Sequence, residues 1–373
     1  MRLGVDCWRI HGTTGVARYI TNVVRAWSSG FKSDVFDAVV LFTPRPIDRT
    51  RVPLGPGMKE VVLRSDARQL VWQNTRLASA CDTEVLWCPA YVTPIATAAK
   101  IVVTTHDATN AIHPELYPLS DRLFYRWFYA WRARGATLVV TNNERTRTDI
   151  EVHYGVDPGR LRVVGLAPAD VFRRLEDREE VSRTVRTILG DDRPYFLSVG
   201  KVSTRRNVPT VVEGFARFRE RSGLPHRMVV VGRGAALDEV RATAADRGIS
   251  DQMVHLDYVS DQDLVALYNG AEAFITAATY EANSFTTLEA QTCGAPVVIP
   301  DAPGMREMVG GVAEIMPAVG VAEVSAAMER LATDGALRRR LSEMGRKHAS
   351  RFSWSNTAQG ILGVAEEAGA DAV

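Results

Sequence analysis

Cysteine is scarce in this sequence. Four occur among 373 residues, at positions 7, 81, 88 and 293, and none has the CxxC spacing of a structural zinc site. Most lie in apolar, strand-like runs, so buried free thiols in a reducing compartment are expected rather than a disulfide framework. Net charge is nearly absent, at +1, which removes any bulk pull toward nucleic acid or anionic lipid. Lysine is confined to positions 32, 59, 100, 201 and 347. Arginine replaces it elsewhere, which we read as the codon usage of a GC-rich genome. No run approaches eighteen apolar residues, and no charged segment followed by a long apolar one opens the chain. A cytoplasmic protein without membrane span or secretory leader is therefore expected. There is no internal repeat and no low-complexity tract.

Short apolar runs instead alternate with amphipathic segments, the pattern of parallel sheets with crossover helices. In the first half, strands are predicted at 3–6, 38–42, 61–63, 85–88, 101–105, 137–141 and 161–164. Helices are predicted at 16–27, 68–80, 121–134 and 144–154. Asn143 caps the start of the last and Gly155 closes it. The charge-rich stretch 173–192 reads as the best linker, although partly helical. A second series follows, with strands at 195–199, 228–231, 254–258, 273–276, 296–299 and 313–316. Its helices fall at 208–221, 238–247, 261–270, 285–293 and 321–333. The expected fold is α/β: two Rossmann-like, doubly wound parallel-sheet domains facing across a cleft. The N-terminal domain is placed at 1–178, with a C-terminal helix at 354–373 crossing back onto it, and the C-terminal domain at 190–352.

Candidate chemistry collects at strand ends, where ligands bind in open α/β sheets. Glu281 stands in the loop after the strand at 273–276, and Glu289 lies in the helix that starts near Ser284. Carboxylates there suit sugar hydroxyls, because each accepts two or more hydrogen bonds. The plainer reading of Glu289 is a surface helix residue. Ser284, Phe285 and Thr286 would offer backbone N–H groups to a phosphate beside Glu281. Lys201 and Arg206 follow the strand at 195–199 and precede a helix, which favours anion binding over a merely solvated basic loop. The loop WRIHGTTG (8–15) turns from first strand to first helix. Gly12 and Gly15 permit close backbone approach, and Thr14 can cap the helix. It lacks both the GxGxxG and the GxxxxGK[ST] pattern. His106, at the end of an apolar strand, balances between structural and functional roles. The aromatic and arginine-rich helix 123–132 reads mainly as a core helix, with peripheral membrane contact left open.

With these residues in view, the chain resembles a family 4 glycosyltransferase of the GT-B fold over nearly its whole length. The most specific element is E-x7-E, Glu281 to Glu289, followed by Cys293-Gly294-Ala295-Pro296-Val297-Val298. The family's basic phosphate pair falls on Lys201 and Arg206, its "HD" on His106 and Asp107, and its first glycine loop on Gly12 to Gly15. Segment 256–260 (LDYVS) resembles the strand end that contacts the nucleotide base, here Tyr258 and Val259. Residues 141–155 resemble another family helix, and Phe352-Ser353-Trp354 the entry to the last helix.

The resemblance implies a retaining, metal-independent transfer of a hexose-type sugar from a nucleoside-diphosphate sugar to a hydroxyl acceptor. That acceptor would be a glycan, a lipid-linked glycan or a small metabolite. No cofactor, metal site or nucleic-acid partner is implied. Lys201 and Arg206 would neutralise the diphosphate, Glu289 would hold the ribose, and Glu281 would hold the donor sugar. His106 would touch that sugar, and Gly15, Ser284, Phe285 and Thr286 would line the donor. Domain closure would exclude water. One departure stands out: Ala282-Asn283-Ser284 replaces the family's Gly-Phe-Gly, which puts the donor's identity in question. Two other readings share the fold, a nucleotide-sugar 2-epimerase and a non-catalytic partner subunit.

Overall fold

A computed structural model describes residues 1–12 and 14–370, without the side chains of residues 116, 120, 121, 123, 124 and 303. Thr13 of the glycine loop, residues 371–373 of the expected helix 354–373 and the side chains of Leu123 and Phe124 lie outside the described residues.

The chain divides into two compact units, one from residues 1–167 plus the segment from Phe352 onward, the other from 168–351. In the first, seven strands form one sheet: β1 (Arg2–Asp6), β2 (Ala38–Thr43), β3 (Met58–Val62), β4 (Val85–Cys88), β5 (Lys100–Thr104), β6 (Leu138–Thr141) and β7 (Leu161–Val163). Their order is β3-β2-β1-β4-β5-β6-β7, and every pairing is parallel. The second unit orders β8 (Tyr195–Val199), β9 (Arg227–Val231), β10 (Met253–Leu256), β11 (Ala273–Ile275), β12 (Val297–Pro300) and β13 (Glu314–Met316) as β10-β9-β8-β11-β12-β13, again all parallel.

The continuous apolar runs are explained by burial on both faces. Successive side chains point to opposite sides of a strand. Phe196, Met228 and Val230 therefore enter one core of the second unit, under the helices Val208–Ser222 and Val321–Thr333. Tyr195, Leu197, Val229 and Val231 enter the other, under the helices Arg178–Leu189 and Asp261–Gly270. Since parallel strands point one way, their C-terminal ends share one edge, and the loops there carry the site.

Several expectations change. Residues 168–178, expected in the N-terminal domain, belong to the second unit. The 173–192 stretch is mostly the helix Arg178–Leu189, not a linker. Asp177 accepts from the Glu180 N–H at its start, and Gly190, left-handed at φ 85°, ends it. Val181, Val185 and Leu189 form an i, i+4, i+8 apolar stripe buried in the core. Eight polar residues of the same helix mask that stripe in the sequence. The helix predicted at 68–80 contains a π-helical stretch, Gln73–Leu77, and β3 starts three residues before its expected first residue, Val61. The helix 144–154 has the predicted ends: Asn143 accepts from the Thr146 N–H, and Gly155 is left-handed at φ 66°. Among the described residues no helix is long and apolar enough to cross a membrane.

Candidate active site

In the second unit, loops leaving β8, β9 and β11 bring the charged candidates together. The turn after β8 begins at Gly200, with φ +125°, a region L side chains avoid. A β-carbon there would lie 2.1 Å from Arg206 Nη1, so glycine makes room for a guanidinium folded back on the strand end. The turn after β9 interlocks with it. A β-carbon at Gly232 would lie 2.0 Å from the Gly200 carbonyl oxygen, and one at Gly234 1.8 Å from that of Val202. The Gly200 N–H donates to the Val231 carbonyl and the Val202 N–H to the Arg233 carbonyl, both at 2.9 Å. The sequence reading passes over Gly232 and Gly234. Their signal, the VGRG text closing β9, shows its purpose only when the two backbones meet.

Glu281 is nearly buried, and its Oε2 lies 3.2 Å from Arg205 Nη1 and 3.4 Å from Arg206 Nη2. Arg205 Nη1 also donates to the Tyr280 carbonyl, and Arg206 Nη1 to that of Val199 at 3.0 Å. The Thr279 N–H donates to the Arg205 carbonyl at 3.0 Å, which holds the β11 loop against the β8 loop. Arg206 Nε is buried with no partner among the described residues. Lys201 is exposed and makes no ion pair or hydrogen bond among them. Arg205 is a residue the sequence reading missed. Of two adjacent arginines, only the fold tells which turn toward Glu281, and here both do.

Glu289 sits in the helix Phe285–Cys293 at 3% exposure, which rules out the surface-residue reading. Its Oε2 accepts from the Tyr268 hydroxyl at 3.3 Å. Burial, reinforced by the Glu289 charge, pushes that phenol's pKa well up. The helix begins at the buried Ser284, whose hydroxyl lies 3.2 Å from that of Thr286. First-turn amides have no intrahelical acceptors, and those of Phe285 and Thr286 lie in this turn beside Glu281. Ala282 is buried too. Tyr258 lies past the end of β10 rather than within it, 80% exposed and followed by Val259.

The first unit holds the remaining candidates. His106 follows β5 and is buried. Its Nδ1 lies 2.8 Å from Asn142 Oδ1 and its Nε2 2.9 Å from the Pro89 carbonyl. The Tyr19 ring meets it edge-on at 4.9 Å. Burial lowers its pKa. With both nitrogens engaged inside the unit, a sugar contact from His106 requires one of these bonds to open. Asp107 accepts from the Tyr91 hydroxyl at 2.8 Å and from the Thr109 N–H at 2.9 Å. Tyr91 is left-handed at φ 57°, unusual for an aromatic residue. The glycine loop carries one 3-10 turn, Trp8–His11, and Thr14 caps the helix Gly15–Gly30 through the Ala17 N–H. Gly15, the first residue of that helix, is exposed.

Comparison with known proteins agrees with this architecture. The model of glycosyl transferases group 1 matches residues 184–348, and that of glycosyltransferase family 4 matches 13–166. The chain is 31% identical over 249 residues to a D-inositol 3-phosphate glycosyltransferase of Salinispora arenicola, covering 62% of this chain and 55% of that protein. It is 25% identical over 259 residues to O-antigen chain mannosyltransferase B of Escherichia coli, covering 69% and 68% respectively. The chain thus spans little more than half the length of the first of these relatives. The Anabaena protein HepE, solved with UDP and glucose, superposes with a TM-score of 0.76 at 14% identity, covering 98% of this chain and all of that one. That likeness establishes the GT-B fold. By its two parallel Rossmann-like units and by the family models matching each of them, the chain belongs to the group 1, family 4 glycosyltransferases.

Proposed function

We propose that this chain transfers a hexose-type sugar from a nucleoside-diphosphate sugar to a hydroxyl acceptor, with retention of anomeric configuration and without a metal ion. The observation carrying this reading is the pair Arg205 and Arg206 on Glu281, at the C-terminal edge of β8 and β11, with the exposed Lys201 in the same turn after β8. Two anchored guanidiniums and a neighbouring lysine at a strand edge suit a diphosphate, and the adjacent carboxylate suits sugar hydroxyls. HepE was solved with UDP and glucose, which supports a nucleotide-sugar donor. The relatives named D-inositol 3-phosphate glycosyltransferase and O-antigen chain mannosyltransferase B support a polyol or glycan acceptor.

In this mechanism the bond between the sugar's anomeric carbon and the phosphate oxygen breaks, and its electron pair stays on the phosphate. Lys201, Arg205 and Arg206 meet the growing negative charge. The acceptor oxygen bonds to the anomeric carbon on the same face, and its proton passes to the departing phosphate. Glu281 steadies the oxocarbenium-like state. Its ion pairs with Arg205 and Arg206 hold the carboxylate in place when the donor is absent, and an arriving diphosphate competes for the guanidiniums. Glu289, oriented by Tyr268, holds the ribose. Tyr258 and Val259 offer a face for the base, and Ser284, Phe285 and Thr286 border the diphosphate.

A thermal-shift screen with UDP, GDP, ADP, dTDP and their common sugars in EDTA tests this reading. One nucleotide is expected to stabilise the protein, and Lys201→Ala is expected to weaken it about 10-fold or more, the loss of a charge-assisted hydrogen bond. Unchanged affinity in that variant would remove the phosphate assignment. No stabilisation by any nucleotide would remove the donor site.

A further inference from the structure

The first unit has a cavity of about 650 Å³ at the C-terminal ends of β1, β2 and β3, lined by Trp8, Arg9, His11, Arg45, Arg64 and Asp66 among others. Its size suits a sugar-sized ligand. Its charge is one-sided, since three arginines face one carboxylate. Within this unit Arg2 pairs with Asp82, Arg49 with Glu60, Arg145 with Asp149 and Arg162 with Glu367. Arg9, Arg45 and Arg64 form no ion pair among the described residues. Arg9 is steadied by its Nε bond to Gln69 Oε1 at 2.7 Å. Glu60, the nearby acid, is turned onto Arg49 and the Ile47 N–H. A fourth guanidinium, Arg51, donates to the Gly12 carbonyl at 3.1 Å.

Three arginines share this concavity with a single carboxylate, Asp66. A concavity lined by one sign of charge concentrates counter-ions, and the guanidinium fork matches phosphate oxygens in pairs. A neutral polyol alone gives three guanidiniums no counter-charge. Beside them, the partly buried Trp8 ring offers an apolar wall for a sugar or polyol ring.

We propose that this cavity is the acceptor site and that the acceptor carries a phosphate monoester, bound by Arg9, Arg45 and Arg64, next to the hydroxyl that receives the sugar. This rests on the transferase reading above and narrows it to one acceptor class.

The test is titration of the full chain, alone and with the stabilising nucleotide, with inorganic phosphate and with glycerol, hexitol and hexose monophosphates beside their neutral counterparts. Arg45 and Arg64 are exposed, so an Arg45→Ala/Arg64→Ala variant keeps the core intact, which its Tm verifies. Phosphorylated ligands are expected to bind the wild type, to weaken as salt rises, and to weaken about 10-fold or more in the double variant, with nucleotide affinity unchanged. A second readout is the His11 imidazole, whose pKa is held down by burial and by Arg45 and which a bound dianion would pull up in an NMR titration. The proposal is overturned if neutral ligands bind as well as phosphorylated ones, if none binds, or if Lys201→Ala rather than the arginine variant removes phosphate binding. It is also overturned if the arginine variant weakens the nucleotide, because the cavity then belongs to the donor. Phosphate binding here without any nucleotide binding would leave the cavity assigned as an anion site and remove the transferase reading instead.

Discussion

A carboxylate between two guanidiniums is a spring-loaded arrangement only if its surroundings hold the guanidiniums still. Around Glu281 that task falls to residues with no charge. Gly200 leaves room for Arg206, and Gly232 leaves room for Gly200. Gly232 has φ +137°, so Gly232→Ala meets both an unfavourable backbone region, costing roughly 1–3 kcal/mol, and the Gly200 carbonyl. The variant is expected to lose stability by urea titration and nucleotide affinity together, because the β8 loop must shift. Loss of stability with full nucleotide affinity would show that the interlocked loops do not position the cations. Residues 201 and 206 were legible as cations beside a strand end, and Glu281 and Glu289 as a motif. The pairing of Glu281 with Arg205 was not legible, because only the adjacency of β8 and β11 brings those distant segments together.

At the scale of elements, local chemistry was the more readable part. Asn143 and Gly155 mark both ends of their helix through contacts within a few residues. The same chemistry bounds Arg178–Leu189, where Asp177 and Glu180 stand in capping-box spacing. A reading guided by charge density took that segment for a linker. Its apolar stripe has meaning only against the core formed by Tyr195, Val265 and Tyr268. Asp177→Ala removes the cap and is expected to cost about 1 kcal/mol, a Tm decrease of about 2–4 °C for a domain of this size. A thermal melt of the variant measures it. An unchanged melt would mean that tertiary packing alone holds the helix start.

For the whole molecule, the closing helix decides the integrity of the first unit. Trp354–Ala370 packs against the helix Gly15–Gly30, and Trp27 Nε1 donates to the Ala358 carbonyl at 3.0 Å. Thr357 Oγ1 donates to the Gly165 carbonyl at 2.7 Å, while Ile361, Leu362 and Ala365 are buried. Truncation after Arg351 is expected to expose this core and to raise hydrogen exchange in β4, β5 and β6, which the helix also touches. Unchanged exchange there would contradict that packing.

The histidines set a second molecule-wide property. His11, His106 and His348 all have pKa values lowered below 6.5, with burial the largest cause. Between those lowered values and 6.5 the unfolded chain binds more protons than the folded one, so stability rises with pH across that window. Their contribution is full above 6.5 and is lost as pH falls through the folded-state values. Tm is expected to drop between pH 7.5 and 5, and to drop less in His106→Gln. A flat Tm profile would show that these rings charge without penalty.

By itself the sequence determined the alternation of strands and helices, two Rossmann-like halves, several caps and the identity of the acidic motif. Each of these depends on side-chain periodicity or on contacts a few residues apart. Only the tertiary structure decided that Arg205 joins Arg206 on Glu281, that Glu289 is buried against Tyr268, and that Arg9, Arg45 and Arg64 share one cavity. Those arrangements arise because parallel strands distant in the chain end at a common edge, and electrostatics acts through space rather than along the chain.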